Sequence, residues 1–171
     1  MIYNPVPSPR AKMFDLPLAL LHNEDICDGI WTTILMKLFP SSKNFLLTPM
    51  RRITAYSPLV MDLQTVTMST TPTLQFRNVL VIDIRKKRHW PAGISQQEEG
   101  VKGLTDAAFS GSLSEYANAT SKVYWISVIG SHWRYGVSDG QDSRPLIDWH
   151  TIDDEDSYKD LQELADLVER L

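Results

Sequence analysis

The run Val123-Tyr124-Trp125-Ile126-Ser127-Val128-Ile129 is apolar at every position but Ser127. A strand with one wet face alternates apolar and polar side chains, so a run without alternation reads as a central strand covered on both sides. A chain that holds such a strand needs a sheet with material packed on both of its faces.

The flanking segments are patterned to supply it. From about Asp25 to Leu38, Ile26, Ile30, Ile34 and Leu38 recur every four residues, Trp31 and Leu35 widen the stripe, and Pro40 stops the helix that Asn23 or Asp25 can cap. Strand character follows over Asn44 to Leu47, Arg52 to Tyr56, Leu59 to Met68 and Leu74 to Ile84, with Ser57-Pro58 and Thr70-Thr71-Pro72 as breaks. Residues from about Ile94 to Phe109 read as a second helix, weakened by Gly100 and Gly103, with Val101, Leu104 and Ala108 on its apolar face. Beyond the central run, Trp133 to Val137 is predicted as a short strand, Asp139-Gly140 as a turn and Leu146 to Trp149 as a last edge strand. A closing helix is predicted to start at Ser157, with Ser157 and Asp160 as a capping box and Tyr158, Leu161, Leu164, Val168 and Leu171 as its buried stripe. Residues 1–22, with Pro5, Pro7, Pro9 and Pro17, read as an extended N-terminal arm, and residues 23–171 as one domain. The order implies an α/β or α+β fold, a mixed central sheet flanked by helices.

Composition removes several function classes. A net charge of −4 argues against a generally basic nucleic-acid coat, although cations cluster at Arg51-Arg52 and at Arg85 to Arg88 while acids gather at Asp153 to Asp156. One cysteine, Cys27, precludes an intramolecular disulfide and a multi-cysteine zinc site and favours a reducing compartment. The apolar stretch before Leu21 is short and interrupted by Asp15 and Pro17, poor for a signal peptide or a membrane span, so the expectation is a cytoplasmic or nuclear protein with no membrane partner. His89, His132 and His150 lack ligand spacing, and neither a glycine-rich phosphate loop nor a serine nucleophile elbow is present.

Chemistry concentrates in Val79-Leu80-Val81-Ile82-Asp83-Ile84-Arg85-Lys86-Lys87-Arg88. An ionised carboxylate inside an apolar strand costs several kcal/mol to desolvate unless it has a partner. Residues two apart on a strand share a face, so Asp83 and Arg85 stand side by side. Asp62, inside Leu59-Val60-Met61-Asp62-Leu63, is a second lone acid in an apolar strand. Two carboxylates for a divalent metal and a cation to offset charge on a phosphate are the groups that phosphodiester hydrolysis requires.

At these residues the chain resembles the PD-(D/E)xK nuclease superfamily, with its restriction-endonuclease-like αβββαβ core. In that pattern an Asp on one strand precedes an acid-x-Lys on the next. Asp62 stands at the first position and Asp83-Ile84-Arg85 at the second, while Glu24 matches an auxiliary acid and Gln96 or Gln97 a polar position of the middle helix. The C-terminal half, with Asp106-Ala107-Ala108-Phe109, His132-Trp133-Arg134-Tyr135-Gly136 and Pro145-Leu146-Ile147-Asp148-Trp149-His150, is similar to proteins of mushroom-forming fungi in which the corresponding strand carries Glu-x-Lys. The strands and the closing helix predicted beyond Ile129 stand as C-terminal additions to that core. The resemblance implies that Asp62 and Asp83 hold Mg²⁺, and that Arg85 or Lys86 neutralises the phosphate. Two positions depart from the pattern: no proline directly precedes Asp62, and Arg85 replaces the lysine. Arginine stays protonated and cannot act as a base.

The expectation is therefore a nuclease-like domain acting on DNA or RNA, with Arg85, Lys86, Lys87 and Arg88 facing nucleic acid. The alternative is a non-catalytic nucleic-acid or protein interaction module on the same fold, and a homo-oligomer fits either. Plainer readings stand beside these. Asp83 can end a strand paired to Arg85 or Arg52, Asp62 can face solvent, Glu24 can serve the helix dipole, and the basic run can be a solvated strand end. Trp133 and Tyr135 share a strand face, which favours core packing over base stacking.

Overall fold

A computed structural model of the chain describes residues 27–49, 59–68, 74–85 and 122–171. Helix α1 spans Cys27–Leu38, a 3-10 turn Ser41–Lys43, and strands follow as β1 Phe45–Pro49, β2 Leu59–Met68, β3 Leu74–Arg85, β4 Val123–Ile129, β5 His132–Ser138, β6 Ser143–Pro145 and β7 His150–Thr151, with α2 over Glu155–Glu169 closing the chain. The seven strands form one mixed sheet in the order β1-β2-β3-β4-β5-β6, with β7 also on β5. β1, β2 and β3 run as an antiparallel meander, β4 is parallel to β3, and β5 returns antiparallel to β4. The architecture is mixed α+β. The expected strand at Arg52 to Tyr56 and the expected helix at Ile94 to Phe109 lie outside the described residues. Among the described residues no helix is long and apolar enough to cross a membrane.

Both described helices pack on one face of the sheet. Ile30, Trp31, Ile34 and Leu35 of α1 and Leu161, Leu164 and Val168 of α2 meet Leu63, Leu80, Ile82, Ile84, Ile126, Val128, Trp133 and Tyr135 in one core. Trp31 and Trp133 rings sit 5.6 Å apart, and Tyr135 stacks on Trp133 at 6.2 Å. The aromatics of β5 thus belong to the core, as their shared face implies. β4 is buried along its whole length. A β-bulge where Leu63 pairs with Leu80 but Gln64 with Asn78 leaves Val79 unopposed. Gln64 then donates to Asn78 Oδ1 at 2.8 Å across the strands.

Two expectations fail at the C-terminal end. Residues 146–149 form no strand; the edge strands are Ser143–Pro145 and His150–Thr151 on either side of them. Pairing with β5 persists through Leu146, whose N–H donates to Tyr135 O at 2.9 Å, and the chain then swings away until His150 and Thr151 rejoin opposite Trp133 and His132. The closing helix starts at Glu155, not Ser157, because Asp154 is its N-cap and accepts from the Asp156 N–H at 3.2 Å. Ser157 lies inside the first turn, fully buried. Its hydroxyl donates to Thr151 O at 2.6 Å and accepts from the Trp133 indole N–H at 2.8 Å.

Candidate active site

The sheet's other face gathers the polar residues. Asp62 of β2 is opposite Val81 of β3, and Asp83 is opposite Val60. Cross-strand partners share a face, and so do residues two apart, so Asp62 and Asp83 are diagonal neighbours on one face. Such diagonals stand about 7–8 Å apart at the backbone and less at the side chains, close enough for two carboxylates to turn toward one ion. Arg85 projects from the same face. Its Nε donates to Asp83 Oδ2 at 3.1 Å and Oδ1 at 3.4 Å, and its Nη2 lies 3.1 Å from Oδ2.

Val60, Val81 and Val123 form a small apolar cluster on the same face. Asp83 is 1% exposed. Burial pushes its carboxyl above the ordinary carboxylate range, and the charge and hydrogen bonds of Arg85 only partly pull it back. Burial raises the half-buried Asp62 in the same way. A cation would restore the stabilisation that burial removes from both carboxylates. Two carboxylates suit Mg²⁺, which binds through one or two of them and keeps positions for water and phosphate oxygens. Among the described residues, no cluster of three or more His, Cys, Asp or Glu forms a fuller metal site.

The row of side chains continues across the sheet. Asp83 is beside Ser127 of β4, and Ser127 is opposite Arg134 of β5. Ser127 is fully buried, and Arg134 is 8% exposed. The Arg134 guanidinium carbon lies 5.8 Å from the centre of the Trp125 ring and 4.7 Å from that of Trp149. Trp125 itself fits because its cross-strand partner is Gly136. A Cβ at that position would fall 2.2 Å from Trp125 Cζ2.

Of the expected site residues, the fold brings Asp62, Asp83 and Arg85 together. Lys86, Lys87, Arg88, Glu24, Gln96, Gln97 and Arg52 lie outside the described residues. Sequence reasoning passed over Ser127 and treated Arg134 only as part of an aromatic cluster. Both carried a signal: Ser127 is the lone aliphatic hydroxyl of its apolar run, and Arg134 alternates with two core aromatics, which sends it to the opposite face. A concavity of about 550 Å³ between α1 and β1 is lined by Met36, Phe39, Phe45, Leu46 and Met61 with no titratable group. Neither a family model, nor a curated protein, nor a solved structure matches the chain.

Proposed function

We propose that this protein is a metal-dependent phosphodiesterase of nuclease type, on a restriction-endonuclease-like core, with Asp62, Asp83 and Arg85 as its active centre. One observation carries the reading: the two lone acids of β2 and β3 are diagonal neighbours on one face, and a guanidinium is bound to the more buried of them. The element order supports it, since α1, three antiparallel strands and a fourth strand parallel to the third fit the αβββαβ pattern around the undescribed segment. Position supports it too. Asp83 and Arg85 close β3, and Ser127 is near the end of its parallel neighbour β4; ligands of open sheets with parallel strands gather beyond carboxyl ends.

When bound, Mg²⁺ would supply a Lewis acid for a phosphate oxygen and lower the pKa of a water. Asp62 and Asp83 would hold the ion. Arg85 would orient Asp83 in the free protein and offset the charge that develops on phosphorus. It cannot take a proton from the attacking water, so that proton leaves to solvent or to a phosphate oxygen. DNA or RNA is the substrate class, and a cytoplasmic or nuclear setting suits the single buried cysteine.

A second reading rests on the same pair. Arg85 Nε reaches both Asp83 oxygens, and a pair closed in this way fits a non-catalytic module that keeps the fold and binds nucleic acid or protein. A cleavage assay on single- and double-stranded DNA and RNA with Mg²⁺ or Mn²⁺, run beside Asp83→Asn and Asp62→Asn, separates the two. The enzyme reading expects losses on the order of 100-fold in either variant. Equal residual activity in wild type and both variants would defeat it.

A further inference from the structure

We infer that this site is built for RNA, with the Gln64–Asn78 amide pair holding a ribose 2′-hydroxyl and Phe76 stacking on the base. The inference rests on the nuclease-type reading and names the substrate of that site. Asp62, Gln64 and Val66 are two residues apart along β2, and their neighbours on β3 are Val81, Asn78 and Phe76. Cross-strand partners and residues two apart share a face, so acid, amide pair and phenyl ring follow one another on the face of the site, in steps of about 6.8 Å. The bulge at Val79 sets this order, because it brings Asn78 rather than Val79 opposite Gln64. Burial opens the face in the same direction. β4 is buried throughout and β3 from Val79 to Ile84, whereas Asp62, Gln64 and Asn78 are partly exposed, Phe76 is 37% exposed and Leu74 lies open beyond it.

Along this path the chemistry changes from ionic to neutral. From Gln64 to Met68 and from Leu74 to Asn78 the strands bring no charge to this face. Arg77 pairs with Thr65 on the opposite face, where it donates to Leu171 O at 2.8 Å. A phosphate is held best by ionised donors, so an uncharged stretch beside the acids suits the parts of a nucleotide that carry no charge. Gln64 Nε2 donates to Asn78 Oδ1 at 2.8 Å, which fixes both amide planes and leaves the Gln64 carbonyl oxygen to accept and the Asn78 amide to donate. A 2′-hydroxyl both donates and accepts a hydrogen bond, and deoxyribose has no group there to do either. The Phe76 ring needs neither charge nor a particular base edge, because every base has a π-face to stack. A base stacked on it is unpaired, so the RNA is single-stranded at that nucleotide. Acids, amides and ring thus meet phosphate, ribose and base in the order in which a nucleotide presents them.

The test is binding of fluorescein-labelled single-stranded RNA and DNA oligonucleotides of one sequence, in EDTA and again in Ca²⁺, across a salt series, with cleavage in Mg²⁺ measured separately. Wild type is expected to bind RNA about 10-fold more tightly than DNA. Gln64→Ala and Asn78→Ala are each expected to bring RNA down to the DNA value and to keep the slope of log affinity against log salt, because a neutral contact releases no counterion. Phe76→Ala, at an exposed position, is expected to lose about 10-fold for both nucleic acids and Phe76→Trp to retain binding, and these variants carry the test if an amide variant does not fold. Equal affinity of the wild type for RNA and DNA, discrimination intact in folded Gln64→Ala and Asn78→Ala, unchanged affinity in Phe76→Ala, or no oligonucleotide binding by the wild type overturns the inference. Self-association lost in Phe76→Ala, with binding kept, also overturns it by making the ring a protein contact. Equal cleavage of RNA and DNA would overturn the inference and leave the nuclease reading standing. RNA-selective binding through the amide pair, without cleavage in Mg²⁺ or Mn²⁺, does the reverse.

Discussion

Arg85 and Asp83 stand two residues apart on one face of β3, and the guanidinium holds a carboxylate that is itself almost wholly removed from solvent, with 3.1 Å between Nη2 and Oδ2. The arginine side chain keeps 18% of its own surface exposed. The pair is therefore closed on the Asp83 side and open on the Arg85 side.

Replacing that cation with the residue of the resembling nucleases gives the sharpest functional test. Lysine keeps a charge beside Asp83 but can lose its proton when desolvated, which arginine cannot. Arg85→Lys is expected to raise kcat for cleavage, on the order of 10-fold, with a new basic limb in the pH–rate profile, whereas Arg85→Gln removes cleavage. A rise in neither rate nor pH dependence, with wild-type cleavage retained in Arg85→Gln, removes the residue from the chemistry.

A metal that binds only the folded site must raise the melting temperature. At tenfold above its Kd the linkage is about 1.4 kcal/mol, or roughly 3–5 °C for a chain of this size. Mg²⁺ titrated into wild type is expected to give this rise, and Asp62→Asn and Asp83→Asn to abolish it. A shift that survives both substitutions places the ion elsewhere.

The raised carboxyls also make stability depend on pH with a definite sign. Burial lifts Asp62 above 3.8 in the folded chain, and it titrates at its ordinary value when unfolded. Its contribution to stability is full below 3.8 and is lost as pH rises through the folded-state value, so at about pH 7 the ionised group opposes folding. Asp62→Asn should melt above wild type near neutrality, and the gap should close in acid. Thermal melts over a pH series in EDTA measure this directly; a variant that melts lower at every pH contradicts it.

Much of this was legible because it is local. β2 was expected and found over Leu59–Met68, and β4 over Val123–Ile129, since apolar and β-branched runs bounded by turn residues specify strands without outside help. The side-by-side placement of Asp83 and Arg85 follows from the two-residue period alone. What failed was set by distant partners. Leu146, Ile147 and Trp149 look like an edge strand by composition, but Trp149 is drawn onto Arg134 and Leu146 is left 41% exposed. Ser157 looks like a cap, but Trp133 claims its hydroxyl and the helix is capped three residues earlier, by Asp154. Ser127 and Arg134 joined the site only through strand register, which no single segment encodes.

Ser157 ties α2 to β5 and to β7 with one hydroxyl, accepting from Trp133 Nε1 at 2.8 Å and donating to Thr151 O at 2.6 Å. Ser157→Ala keeps the helix former but strands a buried N–H, a loss of about 1–3 kcal/mol. Trp133→Phe removes the donor and also opens space in the core. A double-mutant cycle by chemical denaturation should show coupling of at least about 0.5 kcal/mol between the two sites. Strict additivity would mean that the bond contributes nothing.

Gly136 is the position where the smallest change should do the most damage. An added Cβ would meet Trp125 Cζ2 at 2.2 Å and the Arg144 carbonyl oxygen at 2.3 Å, one an indole fully packed on the sheet and the other a backbone atom of β6. Neither can yield cheaply, because moving Trp125 disturbs its contact with Arg134 and moving Arg144 breaks the short β5–β6 ladder. Gly136→Ala is expected to destabilise by about 1–3 kcal/mol or more, as overpacking does, with a fall in melting temperature of several degrees and a shifted tryptophan emission. Gly29, where an added Cβ meets nothing within 4 Å, is the matched control; alanine there, in the first turn of α1, is expected to add up to about 0.5 kcal/mol. If Gly136→Ala melts no lower than wild type while Gly29→Ala behaves as expected, Trp125 is not seated against β5 in solution.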